Sequence, residues 1–200
     1  MKQLLYFLLI FVFIQNFYAQ YYYIPFLDNQ GNPGNHNTQT EIQAQYLSSW
    51  TLIQANSSVP VWSPVQNLPF SFEFNGDPVT QYKVSTSGIL TFETNVVAVP
   101  DTFPENLPSA NIPDKSVCIW GINGFGSDDG IVTKTFGSAP NREHWIFFPS
   151  FTSGPGYTYW SIMLEETTNE IYIVDQRHYN ATTGLTLGVQ VNDSVACEVH

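Results

Sequence analysis

Two pairs of neighbouring carboxylates are the residues whose type comes closest to catalytic chemistry. They are Asp128-Asp129 and Glu165-Glu166. Glycoside hydrolysis uses two carboxyl groups that face each other across one groove. Adjacent residues of a strand point to opposite faces, and both pairs lie in or beside segments of turn composition. The pattern therefore favours ordinary turn residues, and no catalytic residue is predicted.

The patterns for metal binding and for other hydrolases are not met. Asp128-Asp129-Gly130 lacks the alternating oxygen ligands and the distant Glu of an EF-hand loop, and an Asp-Gly turn explains it better. Thr86-Ser87-Gly88 is not a nucleophile elbow. Glu143-His144 could form an acid–base pair, although a rim residue beside a core strand is the commoner arrangement. The four histidines stand far apart without a His-x-x-x-His pair: His36, His144, His178 and His200. We expect no metal, no cofactor and no enzymatic activity.

The two cysteines could form a disulfide. Cys118 and Cys197 each lie in an apolar, strand-like run. An even number of cysteines in an exported chain favours a bridge. It would close a loop of about 80 residues and stabilise the fold by roughly 4–5 kcal/mol on the chain-entropy model. Two separate buried thiols that pack as small hydrophobes are the alternative.

The N-terminus has the layout of a secretory signal peptide. Lys2 precedes an unbroken apolar run from Leu4 to Ile14, and Ala19 is the small residue expected before a cut. Cleavage there makes Gln20 the new N-terminus, although Phe17 is larger than the residue usual three positions before the cut. The apolar run is shorter than the roughly 20 residues that span a bilayer. We therefore expect a secreted or cell-surface protein; a buried N-terminal helix or an uncleaved anchor is the alternative.

The composition excludes several classes of partner. Charged residues make up 12% of the chain, with 17 Asp and Glu against 6 Lys and Arg. Loss of Lys2 with the signal peptide would take the net charge from −11 to −12. A surface of this sign repels phosphate backbones and anionic lipids, so binding to nucleic acids or membrane surfaces is not expected. No apolar stretch of membrane length follows Ala19, so no membrane span is expected after signal removal.

The elements that must position any site are strands. Leu68, Phe70, Phe72 and Phe74 alternate with polar or small residues, which predicts a strand with one face on a core and one in water. Similar short runs, separated by Gly, Pro and Asn turns, continue from Trp50 to the end of the chain. The pattern predicts an all-β fold, an antiparallel β-sandwich of lectin-like or jelly-roll-like type with about ten short strands.

Three segments are expected along the chain. They are a signal peptide over 1–19, an N-terminal extension with a polar linker over 20–48, and the sandwich over 49–200. The chain ends inside a strand-like run, which leaves two alternatives, a fragment of a longer protein or a short relative.

Three connections inside the sandwich are predicted. Residues 96–115 hold four prolines, which indicates a long surface connection. Asp129-Gly130 predicts a hairpin between strands near Ile122 and Ile131, and residues 166–169 predict a second hairpin turn.

Four segments in this order resemble a known kind of domain. They are LPFSFEFNG with VSTSGILTFE, GSAPNREHWIFF (Gly137 to Phe148), IMLEETTNEIYIVD (Ile162 to Asp175) and GVQVN (Gly188 to Asn192). From Leu68 to about Asn192 the chain is similar to β-sandwich domains of large secreted Bacteroidota proteins. The resemblance implies a cell-surface or released protein of the kind often exported by the type IX route. Such proteins usually end in a sorting domain, which is not seen here, so the route stays open. The resemblance supplies no catalytic residues.

Aromatic side chains are the one recognition device that the composition offers. They make up 16% of the chain and include 5 Trp and 11 Tyr. An exposed ring can stack on the apolar face of a sugar, although most aromatics on alternating runs belong to a core. We expect a secreted or cell-surface binding or adhesion module with a glycan as the candidate ligand. The alternatives are the N-terminal part of a carbohydrate-active hydrolase and a purely structural spacer. The ligand-binding residues and the oligomeric state are not indicated.

Overall fold

The computed structural model describes residues 21–26, 48–127, 129–153, 156–178 and 184–199. The predicted signal peptide with its cleavage site at Ala19–Gln20 lies outside these residues. Asp128 and most of the polar linker lie outside them as well, as do His36, His200 and the side chain of His178.

Twelve strands and no helix make up the secondary structure of the described residues. The strands are β1 (Tyr21–Ile24), β2 (Thr51–Ala55), β3 (Gln66–Phe74), β4 (Asp77–Val84), β5 (Ile89–Thr91), β6 (Ser116–Trp120), β7 (Gly130–Ser138), β8 (Asn141–Ser153), β9 (Gly156–Glu165), β10 (Ile171–His178), β11 (Thr186–Asn192) and β12 (Val195–Glu198). They form a first sheet, β1-β10-β9-β8-β7-β2, and a second sheet, β12-β11-β6-β5-β4-β3. Pairing is antiparallel except between β1 and β10, which run parallel. The predicted all-β sandwich is therefore confirmed.

The β3 strand shows how alternation in the sequence sets the core. Phe70, Phe72 and Phe74 are buried, Leu68 is half-buried, and Glu73 is exposed, as predicted. The aromatic side of β3 joins one buried cluster with residues of the first sheet, which include Trp160, Ile162 and Leu164 of β9. Because a slip of one residue would turn the three phenylalanines outward, this register is strongly specified.

The first sheet is apolar on both faces, unlike the expected sheet with one wet face. Trp145, Met163 and Val174 point away from the main core and form a second buried cluster. Nearly every residue of β9 is consequently buried. The outward-facing side chains of this sheet therefore pack against one another, whereas the sequence pattern predicted that one face would contact water.

A buried hydrogen-bond network joins the two sheets inside the core. Tyr82 of β4 contacts Nε2 of His144 on β8 at 2.8 Å, and Nδ1 of His144 contacts Oγ1 of Thr135 on β7 at 2.9 Å. Thr133 Oγ1 lies 3.1 Å from the same Nε2 and donates to the carbonyl of Trp145 at 2.8 Å. We assign the proton to Nδ1, because Tyr82 O–H and Nδ1–H can then both donate.

The open edge of β3 is capped by side chains from the other sheet. The backbone N–H of Glu73 donates to Oδ1 of Asn169 at 2.9 Å. The guanidinium of Arg142 donates to the carbonyl of Pro69 at 2.9 Å and lies over the ring of Phe70, 5.4 Å from its centroid. An uncapped edge invites pairing with another chain, so these bonds protect the sandwich from that pairing.

Two of the three predicted connections are confirmed, and one is wrong. β9 and β10 form the predicted hairpin, and residues 92–115 contain no strand. Asp129-Gly130 does not close a hairpin, because β6 pairs with β5 and β11 of the second sheet while β7 pairs with β2 and β8 of the first. The nine residues 121–129 carry the chain from one sheet to the other, a span longer than a usual hairpin loop.

Both ends of the described chain add edge strands. β1 lies within the segment expected as an extension, yet it pairs with β10 from Tyr21 to Ile24. At the other end β12 pairs with β11. The sandwich therefore takes in residues on the N-terminal side of the boundary expected at residue 49.

Candidate functional site

A cleft of about 370 Å³ opens beside the connection that crosses between the sheets. Its walls come from the end of that connection and from facing parts of β8 and β9. The lining residues are Gly126, Ser127, Asp129, Ser150, Thr152, Tyr157 and Tyr159. This volume lies at the lower end of the range for small-molecule sites, which is about 300–1,000 Å³.

Asp129 holds the connection in place at the base of the cleft. Its side chain is largely buried, with an exposed fraction of 8%. One carboxylate oxygen accepts from the backbone N–H of Gly126 at 2.8 Å, and the other accepts from the hydroxyl of Ser150 at 3.3 Å. A Cβ on Gly126 would lie 2.9 Å from Oδ1 of Asp129, so a side chain at this position would displace the Asp129 carboxylate. Asp129 thus fixes the loop and places one carboxylate at the cleft.

The polar wall of the cleft is attached to the connection by a short β-bridge. The backbones of Asn123 and Thr152 exchange two hydrogen bonds, at 2.9 and 3.0 Å. The hydroxyl of Thr152 also donates to Oδ1 of Asn123. Next to it, Ser150 has a φ of 58°, in the left-handed region that non-glycine residues seldom occupy. The Ser150 hydroxyl thus lies beside the Asp129 carboxylate, and the Thr152 hydroxyl, bonded to Asn123, belongs to the same lining.

Two tyrosines form the aromatic wall. Tyr157 and Tyr159 lie on the outward face of β9, with ring centroids 6.1 Å apart and planes at 85°. Tyr159 is buried against Phe147, whereas Tyr157 keeps 44% of its surface exposed. Burial raises the pKa of the Tyr159 hydroxyl, and the neighbouring Tyr157 and Asp129 raise it further. The perpendicular pair gives the cleft one rigid ring and one accessible ring.

The described lining combines hydroxyl groups, a carboxylate and aromatic rings. Among these described residues Asp129 is the one carboxylate, whereas glycoside hydrolysis calls for a facing pair. Among the described lining residues there is no histidine or cysteine, and the hydroxyl of Ser150 donates to the Asp129 carboxylate. Hydroxyls, one carboxylate and an exposed aromatic ring are instead the groups that recognise a polyhydroxylated molecule.

The other carboxylates considered in the sequence have structural partners. Arg142 donates from Nε and Nη2 to the two oxygens of Glu166 at 2.7 and 2.6 Å, and this hydrogen bonding lowers the pKa of Glu166. The neighbouring Glu165 accepts from the hydroxyl of Thr168 at 2.8 Å, and burial raises its pKa. The two carboxylates therefore do not face each other across a groove. Asp128, the other member of the first pair, lies outside the described residues.

Glu143 and His144 do not form an acid–base pair. Glu143 accepts from the indole N–H of Trp145 at 2.9 Å, on the outward face of the first sheet. His144 faces the core instead, and burial lowers its pKa to about 4. Among the described residues, no group of three or more His, Cys, Asp or Glu side chains is placed to hold a metal ion.

The two cysteines are free thiols in the structure, so the disulfide suggested by the sequence is not formed. Cys118 of β6 pairs with Gly188 of β11, while Cys197 of β12 pairs with the next residue, Val189. The thiols therefore point to opposite faces of the sheet and lie two strands apart, about 10 Å at the usual strand spacing. A disulfide needs Cα atoms within about 7 Å. Cys118 is fully buried, whereas Cys197 is exposed.

The tryptophans serve packing rather than an open platform. Trp120, Trp145 and Trp160 are buried, and Trp50 and Trp62 are partly buried. The accessible ring of the cleft is a tyrosine that the sequence analysis did not single out. The signal in the sequence is the period-two alternation of β9, because Trp160, Ile162 and Leu164 lie on the inner face and Tyr157 and Tyr159 consequently lie on the other.

No helix in the described part of the chain is long and apolar enough to cross a membrane.

No curated protein and no solved structure matches the chain. The family model for NIDO-related domains matches residues 36–198, a span that includes the cleft and every strand except β1. NIDO-related domains are typically extracellular modules. The chain therefore belongs to the NIDO-related family.

Proposed function

We propose that this chain is a secreted or cell-surface binding module that recognises a glycan in the cleft and catalyses no reaction. The observation that carries the proposal is the exposed Tyr157 ring, set perpendicular to Tyr159 in a cleft that Ser150 and Thr152 also line. A sugar ring has an apolar face for stacking and hydroxyl groups for hydrogen bonds, so it matches both walls.

Two observations support an encounter outside the cytoplasm. The segment from Lys2 to Ala19 has the layout of a secretory signal, and NIDO-related domains are typically extracellular. The resemblance to Bacteroidota sorting-domain proteins is the ground for proposing type IX export. N-terminal sequencing of the secreted product should begin at Gln20. Secretion that persists in a host strain without the type IX machinery would refute that route.

The affinity of one such site should be weak. A shallow cleft with one accessible ring is expected to bind with a Kd of about 10 μM to 1 mM, or about −7 to −4 kcal/mol. Adhesion would then depend on several modules acting together, because linked sites raise the effective concentration.

A glycan array probed with the secreted chain tests the proposal. Tyr157→Ala should weaken any detected binding by about two- to tenfold, because stacking on an aromatic ring contributes about 0.5–1.5 kcal/mol beyond buried area. Phe103→Ala is the matched control, because Phe103 is an exposed aromatic (78%) that does not line the cleft. Silence across plant, algal and bacterial glycans would favour the structural spacer. Release of reducing sugar would favour the hydrolase.

A further inference from the structure

We propose that the turn between β3 and β4 is a site of spontaneous covalent modification, where Asn75 loses its side-chain amide through a succinimide formed with the backbone of Gly76. The products are aspartate and isoaspartate at position 75. The turn belongs to the second sheet, whereas the cleft is built from β8, β9 and the crossing connection. The modification site is therefore independent of the proposed glycan site.

The β3–β4 hairpin places Asn75 and Gly76 at its tip. Phe74 pairs with Asp77, so the loop has two residues, and both have a positive φ, 51° for Asn75 and 82° for Gly76. This is the type I′ turn that Asn-Gly favours. Both residues are exposed, and a Cβ added to Gly76 would meet nothing within 4 Å. Open space therefore surrounds the backbone that must rotate for the reaction.

The reaction joins neighbouring atoms of the same turn. The backbone nitrogen of Gly76, after loss of its proton, attacks Cγ of Asn75, and Nδ2 takes up a proton and leaves as ammonia, so a succinimide ring closes. Water then opens the ring. Opening at the former side-chain carbonyl gives aspartate, and opening at the former backbone carbonyl gives isoaspartate, whose main chain runs through Cγ. Glycine favours the ring closure because it has no Cβ to obstruct the attacking nitrogen.

A second Asn-Gly pair in the same chain is restrained by its surroundings. The sequence contains two such pairs, and the other is Asn123-Gly124. Asn123 and Thr152 form a β-bridge, and the hydroxyl of Thr152 donates to Oδ1 of Asn123. Gly124 is buried, and a Cβ there would lie 2.8 Å from the ring of Phe151, so the backbone has little room to rotate. We expect reaction at Asn75 and protection at Asn123, although the two dipeptides are identical.

The modification changes the hairpin in charge and in length. Either product adds a carboxylate near Asp77, which pairs with Lys115 at 3.0 Å. Isoaspartate also inserts a methylene group into the main chain of the turn. Because loop length sets the register of a hairpin, this insertion disturbs the closing pair of Phe74 and Asp77 and with it the burial of Phe74. The isoaspartate form should therefore be less stable than the unmodified chain.

Peptide mapping of the secreted chain by mass spectrometry tests the proposal. One set of samples is incubated in mildly alkaline buffer in the native state, and a second set in the same buffer with concentrated urea. Trypsin cleavage after Lys83, Lys115 and Lys134 then puts Asn75 and Asn123 on different peptides. Each conversion raises the peptide mass by the difference between a hydroxyl and an amino group, and chromatography separates the isoaspartyl peptide from its aspartyl isomer.

The expected result is a difference between the two pairs that depends on the fold. In the native chain Asn75 should convert at least about tenfold faster than Asn123, because the bridge to Thr152 must open before Asn123 can react. In urea the two rates should become similar. Gly76→Ala should slow conversion at Asn75 and leave the rate at Asn123 unchanged. Measured in urea, this last comparison does not depend on how the variant folds.

Asn75→Asp is the matched control for stability, because it carries the added charge in an ordinary main chain. The converted fraction of the wild type, separated by ion exchange and containing isoaspartate, should begin to unfold at a lower urea concentration than Asn75→Asp. Equal unfolding curves would refute the disturbed register.

Three results would overturn the modification site itself. Equal conversion of Asn75 and Asn123 in the native chain would show that the fold does not select between them. Conversion of Asn75 in urea alone would show that the hairpin protects it. Conversion of Gly76→Ala at the wild-type rate would refute the succinimide route.

Discussion

The buried His144 should make the stability of this sandwich depend on pH. Burial lowers its pKa from 6.5 to about 4, so the folded protein holds the imidazole neutral while the unfolded chain binds a proton near pH 6.5. Below that pH the unfolded state binds more protons, and stability falls as the pH falls. The contribution of His144 is therefore complete above pH 6.5 and is lost between pH 6.5 and about 4.

The magnitude follows from the two pKa values. Each unit of difference corresponds to about 1.4 kcal/mol, so the loss by pH 4 is about 3 kcal/mol. No discount for solvent screening applies, because His144 is 5% exposed and its ring lies against Tyr82 inside the core. Protonation would also replace the acceptor at Nε2 with a donor that faces the Tyr82 hydroxyl.

Urea unfolding of the wild type and His144→Gln, followed by tryptophan fluorescence between pH 8 and pH 4, measures this contribution. At pH 8 the variant should be less stable by about 1–3 kcal/mol, because buried partners lose their hydrogen bonds. At pH 4 the difference should have shrunk by about 3 kcal/mol. The other titrating groups are the same in both proteins, so their contributions cancel in the difference between the two free energies of unfolding. A difference constant within about 0.5 kcal/mol across the range would refute the argument, as would an NMR titration of His144 near its ordinary pKa.

Three further predictions concern the fold. Phe72→Ala should lower the free energy of unfolding by about 3–5 kcal/mol, whereas Ser71→Ala on the exposed face of β3 should change it by less than about 0.5 kcal/mol; equal effects would contradict the assigned register. Gly88→Ala should destabilise far more than Gly76→Ala: both have positive φ, but a Cβ on Gly88 would overlap the carbonyl oxygen of Ile119, whereas one on Gly76 meets nothing within 4 Å. Thiol titration of the unfolded, unreduced chain should count two free thiols, and a count of zero would restore the disulfide.

The layer structure could be predicted because period-two alternation is a local property. Phe70, Phe72 and Phe74 needed no knowledge of their partners to be assigned to one face. The hairpin between β9 and β10 was equally local, because its two strands and its turn are contiguous. The edge strand β1 was not predicted, since four residues of strand-like composition do not reveal a parallel partner about 150 residues away.

The path of the chain between sheets is not a local property. Asp129-Gly130 has the composition of a hairpin turn, but β6 finds its partners in β5 and β11, which lie far from that turn in sequence. The cysteines show the same limit. Their number and compartment suggested a bridge, and the insertion of β11 between β6 and β12 prevents it. Which strands become neighbours depends on the packing of whole sheets, and the sequence pattern carries little of that information.

The position of the cleft has a physical explanation in the same crossing. In each strand, every second side chain packs in the core. A polar, ligand-binding side chain at one of those buried positions would lower the stability of the fold. The described part of the connection lies outside the named strands, and there the backbone N–H of Gly126 donates to Asp129 while the backbone of Asn123 bonds to that of Thr152. Asp129 and Thr152, which form these hydrogen bonds, also belong to the polar wall of the cleft. The neighbouring outward face of β9 supplies Tyr157. The proposed binding site and the sheet-to-sheet crossing thus share residues, and a change at Gly126 should disturb both while leaving the register of β3 and β9 intact.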